Sequence, residues 1–270
     1  SVKFPFNGHQ LEIMANRPDT GSLKRGVLLL KVLATAGARG LALTDVSLRA
    51  GTPHASTHRV LGQLIGEGLA EYVEETRRYR LGSLVFELGL AGSGLHDMRE
   101  LCQEQMAALS LETEDTVYLV TRSGFEAVCM HRLEGAFPIR TLVLQVGSRR
   151  PLGVGAGGLA ILASIDLPER EQIITRVAPA LKAFGKLTPR ALEEAAIVAH
   201  ESGAAVVRDL VTLGVTGIGV PFRDPTGHAI GALSVAALSQ RMTPRRTQKI
   251  ALRLKEATAE VERRLRRGGR

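Results

Sequence analysis

The pattern of hydrophobic and polar positions between residues 44 and 66 predicts two short helices joined by a tight turn. Thr44 can cap the first helix, Gly51 can end it, and Pro53 stands where the second helix begins. Two helices joined this closely must cross at a steep angle. The apolar residues of the second helix fall on one inward-facing stripe, made of Val60, Leu61, Leu64 and Ile65.

The opposite face of the second helix carries small and polar side chains around an arginine. At about 100° per residue, Arg59 points away from the apolar stripe. A face of this kind suits a helix that lies in the major groove of DNA. Ser56, Arg59 and Gln63 are therefore expected to face bases. The residues expected to flank them are His54, Ala55 and His58.

Two short alternating segments follow and predict a β-hairpin. Residues 70–73 and 79–81 are its strands, and Arg77 and Arg78 lie at its tip, where they can reach phosphate or a minor groove. A helix pair followed by a hairpin can also be a packing unit that binds no DNA. The fixed order of helix pair, arginine-centred face and basic hairpin favours a DNA-binding winged helix-turn-helix.

The rest of the chain alternates helical and strand patterns, which indicates a second, α/β domain. Helices are predicted at residues 98–111, 157–164, 168–177 and 189–201, and strands at 116–121, 127–132, 139–146, 215–222 and 229–236. Asp224-Pro225-Thr226-Gly227 fits a type I turn between the last two strands. A final helix capped by Thr243-Pro244 has an apolar stripe made of Ile250, Leu254, Ala257, Val261 and Leu265.

Composition narrows the class of protein. The chain is 44% hydrophobic and 23% charged, as soluble globular proteins are, and 270 residues allow two domains. No apolar run approaches the roughly 18 residues that cross a bilayer, and residues 1–10 lack a signal pattern, so we expect a cytoplasmic protein with no membrane partner. Cys102 and Cys129 are isolated and are expected to be buried hydrophobes.

The net charge of +8 comes mainly from the C-terminal end of the chain. Residues 241–270 hold eleven basic and three acidic residues, a surplus equal to that of the whole chain. Residues 22–82 have a surplus of four, which supports DNA binding only mildly. A solvated face is the commoner fate of such charge, so we expect the arginines of the last helix to be largely solvated. These are Arg245, Arg246, Arg253, Arg263 and Arg264.

The glycine-rich segment 153–158 is not expected to bind a nucleotide. A P-loop needs a lysine where Leu159 stands, and a dinucleotide fingerprint needs a preceding buried strand, which the polar residues 148–151 do not predict. The segment is either a flexible turn or a turn whose backbone N–H groups hold a small carboxylate. His54 and His58 lie one helical turn apart but have no third partner. The sequence also contains no nucleophile elbow, HExxH or paired-carboxylate motif. We therefore expect no metal, no cofactor and no catalytic residue.

Several phrases of the sequence together resemble the isocitrate-lyase-regulator (IclR) family. They are residues 22–25, 43–45, 53–59, 75–82 and 151–152, and the similarity runs from about Ser22 to about Leu238. The resemblance implies an α+β transcription factor with an N-terminal winged helix-turn-helix domain, a connecting helix and a C-terminal GAF-like α/β effector domain. The ranges expected are a mobile N-terminal arm at 1–21, the DNA-binding domain at 22–82, the connecting helix at 83–97 and the effector domain at 98–270.

The resemblance also implies an effector pocket at the glycine-rich turn. Its residues in this sequence are Ala156, Gly157 and the adjacent Gly158, followed by Val207, Gly217, Ser234 and Ala236. Where the family's carboxylate-sensing pattern has Asp, Cys and a second Ser, this chain has Val207, Gly217 and Ala236, and only Ser234 keeps a hydroxyl. We therefore expect an aromatic or medium aliphatic carboxylate as effector in preference to a two-carbon keto-acid.

These observations favour a ligand-responsive, sequence-specific DNA-binding transcription regulator that is not an enzyme. It is expected to be a homodimer or homotetramer bound to a duplex DNA operator, and to be a repressor of a catabolic or metabolic operon in preference to an activator. The alternative is a small-molecule-binding or catalytic α/β domain with an N-terminal protein-interaction module, which would have no affinity for duplex DNA. A third possibility, a nucleic-acid-binding protein without an effector, would leave the pocket collapsed.

Overall fold

The computed structural model describes residues 21–91, 94–185 and 187–268, and its contacts divide the chain into two units between Phe86 and Glu87. The N-terminal arm predicted at 1–21 lies outside the described residues except for Gly21. Within the described part of the chain, no helix is both long enough and apolar enough to cross a membrane.

The first unit is a helical domain with a two-stranded hairpin. Its elements are α1 (Ser22–Ala34), α2 (Leu43–Ala50), α3 (His54–Gly66), β1 (Ala70–Val73) and β2 (Arg78–Leu81), and α4 (Ser83–Ala91) runs across the division between the units. Buried side chains from α1, α2, α3 and both strands form one core. The strands are antiparallel, with Ala70 opposite Leu81.

The turn between α2 and α3 depends on one glycine. Gly51 adopts a left-handed conformation with φ of 61°, which glycine reaches without a steric penalty, and its N–H is bonded to the Leu48 carbonyl. The prediction that Thr44 caps α2 is wrong, because Ala42 is the N-cap and no side chain bonds there. The predicted stripe of α3 is wrong at Ile65, which is 36% exposed, and Thr57 is buried instead. This shift keeps the buried face at helical spacing.

The second unit is a six-stranded antiparallel sheet between two layers of helices. Its helices are α5 (Gly94–Thr113), α6 (Ala156–Ala163), α7 (Leu167–Leu181), α8 (Pro189–Ser202) and α9 (Pro244–Gly268). Its strands are β3 (Thr116–Ser123), β4 (Glu126–Leu133), β5 (Arg149–Pro151), β6 (Ala205–Arg208), β7 (Val215–Arg223) and β8 (Ala229–Leu238), in the order β5-β4-β3-β8-β7-β6.

Alternation along the central strands gives each face of this sheet its own core. On β3, Val117 and Leu119 pack in the core with α5 and α9, whereas Tyr118 and Val120 pack in the core with α6, α7 and α8. Every residue of α6 is buried. The layered α/β architecture and the hairpin of β7 and β8 confirm the predictions, and the Gly227 N–H closes the predicted turn on the Asp224 carbonyl.

The strand predicted at residues 139–146 does not form, and two short strands were missed. Residues 134–148 have no regular structure, and side chains bind several of their backbone groups where a neighbouring strand would. The missed strands are β5 and β6, which pair at the two edges of the sheet. Each has only three or four residues, too few for a pattern to show.

The last helix packs as predicted, but its arginines are not simply solvated. Ile250, Leu254, Ala257 and Val261 are buried, and Leu265 is partly buried in the same core. Several arginines instead form ion pairs with acidic residues in and just after α5, which face α9. The pairs are Arg246 with Asp115 (2.9 Å), Arg253 with Glu112 (2.7 Å) and Arg264 with Glu104.

Candidate functional site

The outer face of α3 is exposed as the sequence predicted. His54, Ala55, His58, Arg59 and Gln63 are all exposed, whereas Ser56 is half-buried. Among the described residues, the Arg59 side chain has no hydrogen bond or ion pair. A cation with no protein partner at the centre of an exposed, polar helix face is available to an external acceptor such as a base edge.

Ser56 differs from its neighbours because it already has a partner. Its hydroxyl accepts a hydrogen bond of 3.5 Å from Arg25 Nη1, and Arg25 lies on α1. Sequence reasoning did not single out Arg25, because an interaction over 31 residues leaves no local pattern. The interaction places a second arginine beside the predicted base-contacting face.

The two wing arginines have different environments. Arg77 lies in the turn between β1 and β2 with φ of 53°, and its side chain is exposed. Arg78 Nη1 donates to the Gly40 carbonyl at 3.1 Å. Leu41 and Tyr79 exchange two backbone hydrogen bonds of 2.8 Å beside this interaction. Arg78 therefore helps to hold the wing against the segment before α2, whereas Arg77 extends into solvent.

A shallow groove beside the wing brings together arginines that the sequence analysis had not grouped. Arg39, Arg78 and Arg80 line it, although Arg80 is also paired with Glu71. Arg39 was missed because the Gly-Ala-Arg-Gly segment that carries it indicates only a turn. The groove has the charge that a phosphate backbone requires.

The second unit contains a cavity between one face of the sheet and the start of α6. Its empty space, including the part open to solvent, is about 620 Å³. All the residues that the resemblance assigned to an effector pocket line it. They are Ala156, Gly157, Gly158, Val207, Gly217, Ser234 and Ala236.

The start of α6 gives this cavity backbone donors that no side chain of the described residues caps. Gly155 is the N-cap with φ of 81° and has no side chain to cap the helix, so the first N–H groups of α6 lack the partners that a capping residue provides. The helix start can lie this close to the sheet because β7 carries glycines. A Cβ on Gly219 would lie 2.4 Å from the Ala156 carbonyl oxygen. An anion is the ligand that such a helix start favours.

Ser234 contributes a hydroxyl beside these N–H groups. The residue is only 6% exposed, and among the described residues its side chain has no hydrogen-bond partner. A Cβ on Gly157 would lie 3.4 Å from the Ser234 Oγ, so the hydroxyl is next to the first turn of α6. Polar side chains of buried residues normally have a partner, and the Ser234 hydroxyl is therefore available to a ligand in the cavity that it lines.

Sequence reasoning missed the polar residues that close the other side of the cavity. The Tyr118 hydroxyl donates to the Thr141 carbonyl at 2.6 Å and accepts from the Val143 N–H at 3.1 Å. Arg150 Nη2 donates to the Val143 carbonyl at 2.6 Å, and Arg132 Nη1 donates to the Leu144 carbonyl at 3.1 Å. Residues 141–144 therefore form a covering segment that is held by side chains from β3, β4 and β5.

Burial keeps two titratable groups of the cavity neutral. It raises the pKa of the Tyr118 hydroxyl to about 12 and that of the Cys129 thiol to about 11. Cys129 is 1% exposed and Cys102 is fully buried, which confirms that both pack as small hydrophobes. Neither the phenol nor the thiol of the cavity is suited to act as an anionic nucleophile near neutral pH.

Two family models match most of the chain. The model described as "IclR helix-turn-helix domain" matches residues 22–74, and that described as "Bacterial transcriptional regulator IclR C-terminal" matches residues 94–263. Similar curated proteins include the transcriptional regulator KipR of Bacillus subtilis, 25% identical over 83% of this chain and 90% of that protein. The transcriptional repressor AllR of Escherichia coli is 27% identical over 82% of each chain.

Solved structures share the fold. An IclR transcriptional regulator from Alicyclobacillus acidocaldarius has a TM-score of 0.73 at 22% identity and covers 92% of this chain and 100% of its own. An IclR homologue from Microbacterium hydrocarbonoxydans, solved as a complex with 4-hydroxybenzoate, has a TM-score of 0.70 at 26% identity. It covers 91% of this chain and 99% of its own.

Proposed function

Because the chain belongs to the IclR family of bacterial transcriptional regulators, we propose that it represses a catabolic or metabolic operon. A small organic acid controls its affinity for the operator. The observation that carries this proposal is an exposed, arginine-centred helix face in one unit and, in the other, a cavity whose helix N-terminus and Ser234 hydroxyl have no side-chain partner in the described part of the chain. The protein acts in the cytoplasm as a homodimer or homotetramer, since a dimer reads two half-sites at fixed spacing.

Residues 22–82 read DNA in this proposal. Ser56, Arg59 and Gln63 face bases, and His54, Ala55 and His58 flank them. Arg77 and Arg78 contact the DNA backbone or minor groove from the wing. Residues 83–97 connect this domain to the effector domain at 98–270. The effector shifts the second domain between states that hold two DNA-binding domains at different spacings.

The effector has one carboxylate and an apolar body. The N–H groups at the start of α6 and the Ser234 hydroxyl are the donors for the carboxylate, and side chains such as Val120, Val207 and Ala236 surround the rest. Leaving a buried polar group unpaired costs about 1–3 kcal/mol, which disfavours a compact, highly polar acid. The complex of the Microbacterium relative with 4-hydroxybenzoate supports an aromatic acid.

The direct test selects a binding duplex from a random pool and measures its affinity with and without acids. We expect the selected duplex to bind at least about 100-fold more tightly than a scrambled one, and an aromatic or medium aliphatic acid to change that affinity. Equal binding of both duplexes would favour the alternative, an α/β domain with a protein-interaction module. If the protein discriminates the selected duplex from the scrambled one but no acid changes its affinity, a DNA-binding protein without an effector is favoured.

The wing is tested by its salt dependence. Arg77→Ala is expected to weaken binding to every duplex and to flatten the plot of log K against log salt by about 0.9 for each phosphate that is no longer neutralised. Base preference should persist, because interactions with phosphate carry no sequence information. Fluorescence anisotropy at several salt concentrations measures both quantities.

Arg78→Ala and Arg190→Ala complete this series. Arg78→Ala should flatten the plot and also reduce thermal stability, because Arg78 bonds to the Gly40 carbonyl. Arg190 is an exposed arginine on α8, and its variant should keep the wild-type slope. A wild-type slope in a double variant of Arg77 and Arg78 would show that the hairpin only packs.

A further inference from the structure

Arg150 places an incompletely bonded cation in the cavity. The residue is half-buried, and its only hydrogen bond among the described residues is the one from Nη2 to the Val143 carbonyl. No carboxylate of the described residues forms an ion pair with it. Burial lowers the pKa of its guanidinium, so the cation is partly desolvated without an anion to offset that cost.

The adjacent arginine on the same strand, Arg149, has hydrogen-bond partners for its guanidinium. Arg149 Nε donates to Glu126 at 2.9 Å, and its Nη2 donates to Ser123 at 2.8 Å. Arg149 is not among the residues that line the cavity, whereas Arg150 is. Two neighbouring arginines of β5 thus differ in having a carboxylate partner, and the one without it is at the ligand cavity.

Three donors converge on the start of α6. A Cβ on Gly155 would lie 3.7 Å from Arg150 Nη1, so the guanidinium adjoins the N-cap of that helix. The Ser234 hydroxyl adjoins Gly157 in the first turn of the same helix and is also without a partner among the described residues. A guanidinium, a helix N-terminus and a buried hydroxyl are each suited to a carboxylate, and the guanidinium adds a full charge.

We propose that Arg150 is the residue that selects an anionic effector, by pairing with the effector carboxylate at the N-terminus of α6. The inference rests on the proposed effector-binding function and adds the residue that determines charge specificity. Nη2 keeps its bond to Val143 while the remaining N–H groups meet the ligand. The same side chain thereby links the bound carboxylate to the covering segment 141–144.

The test compares carboxylates with their neutral amides on the full chain. The probes are benzoate, 4-hydroxybenzoate, phenylacetate and hexanoate, each beside its amide, and binding is measured by calorimetry at millimolar ligand. We expect at least one carboxylate to bind the wild type about 10- to 100-fold more tightly than its amide, the range expected for a charge-assisted hydrogen bond. Equal binding of acid and amide would overturn the proposal without any variant.

Arg150→Gln should lose most of this preference by weakening only the acid, with the affinity for the amide staying within about threefold. Arg149→Gln is the matched control and should keep the wild-type preference, since Arg149 is paired with Glu126. Arg150→Lys retains the charge and should keep part of the preference. An undiminished preference in Arg150→Gln would overturn the proposal, as would the failure of every carboxylate to bind the wild type.

Operator binding is measured on the same samples. A chain that discriminates its operator but shows no acid-over-amide preference contradicts the role of Arg150 and leaves the DNA-binding proposal intact. A chain that fails to discriminate any duplex contradicts the proposed function, whatever the ligands do. The two failures therefore give different results.

Discussion

Arg59→Ala is expected to abolish operator discrimination while leaving the affinity for non-specific DNA within a few-fold. Arg59 is exposed at the centre of the outer face of α3 and has no partner among the described residues, so its removal costs the fold little. A bidentate hydrogen-bonded pair of arginine and guanine gives about 1–3 kcal/mol of discrimination, and a dimer has two recognition helices that are both affected. The ratio of affinities for selected and scrambled duplexes, measured by anisotropy, tests this.

Two controls separate base recognition from general charge. Arg190→Ala removes an exposed arginine of the second unit and should leave the ratio unchanged. Arg77→Ala should lower both affinities together and so also preserve the ratio. If Arg59→Ala preserves the wild-type ratio, the base-reading face of α3 has been assigned to the wrong residues.

Gly219→Ala is expected to destabilise the second unit and abolish ligand binding. An added Cβ would lie 2.4 Å from the Ala156 carbonyl oxygen and 2.6 Å from its carbon, and backbone atoms cannot move aside as a flexible side chain can. The start of α6 must therefore shift from the sheet, which displaces the N–H groups and the cavity wall. Overpacking of this kind costs about 1–3 kcal/mol, measurable by chemical denaturation.

The matched control adds the same methyl group where it meets nothing. Gly66 is the last residue of α3, its φ is negative, and a Cβ added to it would have no atom within 4 Å. Gly66→Ala should therefore not lower stability. Wild-type carboxylate affinity in Gly219→Ala would mean that the start of α6 does not form the binding site. Gly219 lies in the second unit, so DNA binding by the first unit should remain measurable in Gly219→Ala.

The sequence predicted best those elements whose signals are local. Gly51 and Pro53 lie three residues or fewer from the helix ends that they determine, and residues 224–227 form the turn that they predict. The exposed face of α3 follows from helical spacing alone, because Thr57, Val60, Leu61 and Leu64 are buried and the residues between them are not. Periodicity is sufficient where one side of an element meets one core.

The sequence failed where long-range side-chain interactions decide the structure. Residues 139–146 alternate like a strand, but Tyr118 binds their backbone from 23 residues away, Arg132 from 12 and Arg150 from seven. The same interactions explain why Arg150 was missed. Its neighbours in the sequence predicted only a polar segment before a glycine-rich turn, whereas its position in the cavity depends on the pairing of β5 with β4.

The effector residues were a different case. Nothing in the periodicity around Val207, Gly217 or Ala236 indicates a pocket, and only the family resemblance grouped them with Ala156 and Ser234. The fold brings them together through β6, β7 and β8, which pair at the cavity wall. Their role in binding an effector remains a prediction, which the acid and amide comparison and Gly219→Ala test by independent routes.

The central position of β3 determines the order in which a newly made chain acquires its parts. Thr116 pairs with Ala236, 120 residues later, whereas the core of the first unit is complete within the first third of the chain. At about 5–20 residues per second, the ribosome needs on the order of ten seconds to deliver β8 after β3. During that interval β3 has an unpaired edge that is prone to aggregation, which favours a low concentration of nascent chains or chaperone assistance. The nascent chain therefore completes the core of its first unit before the cavity of the second unit can form.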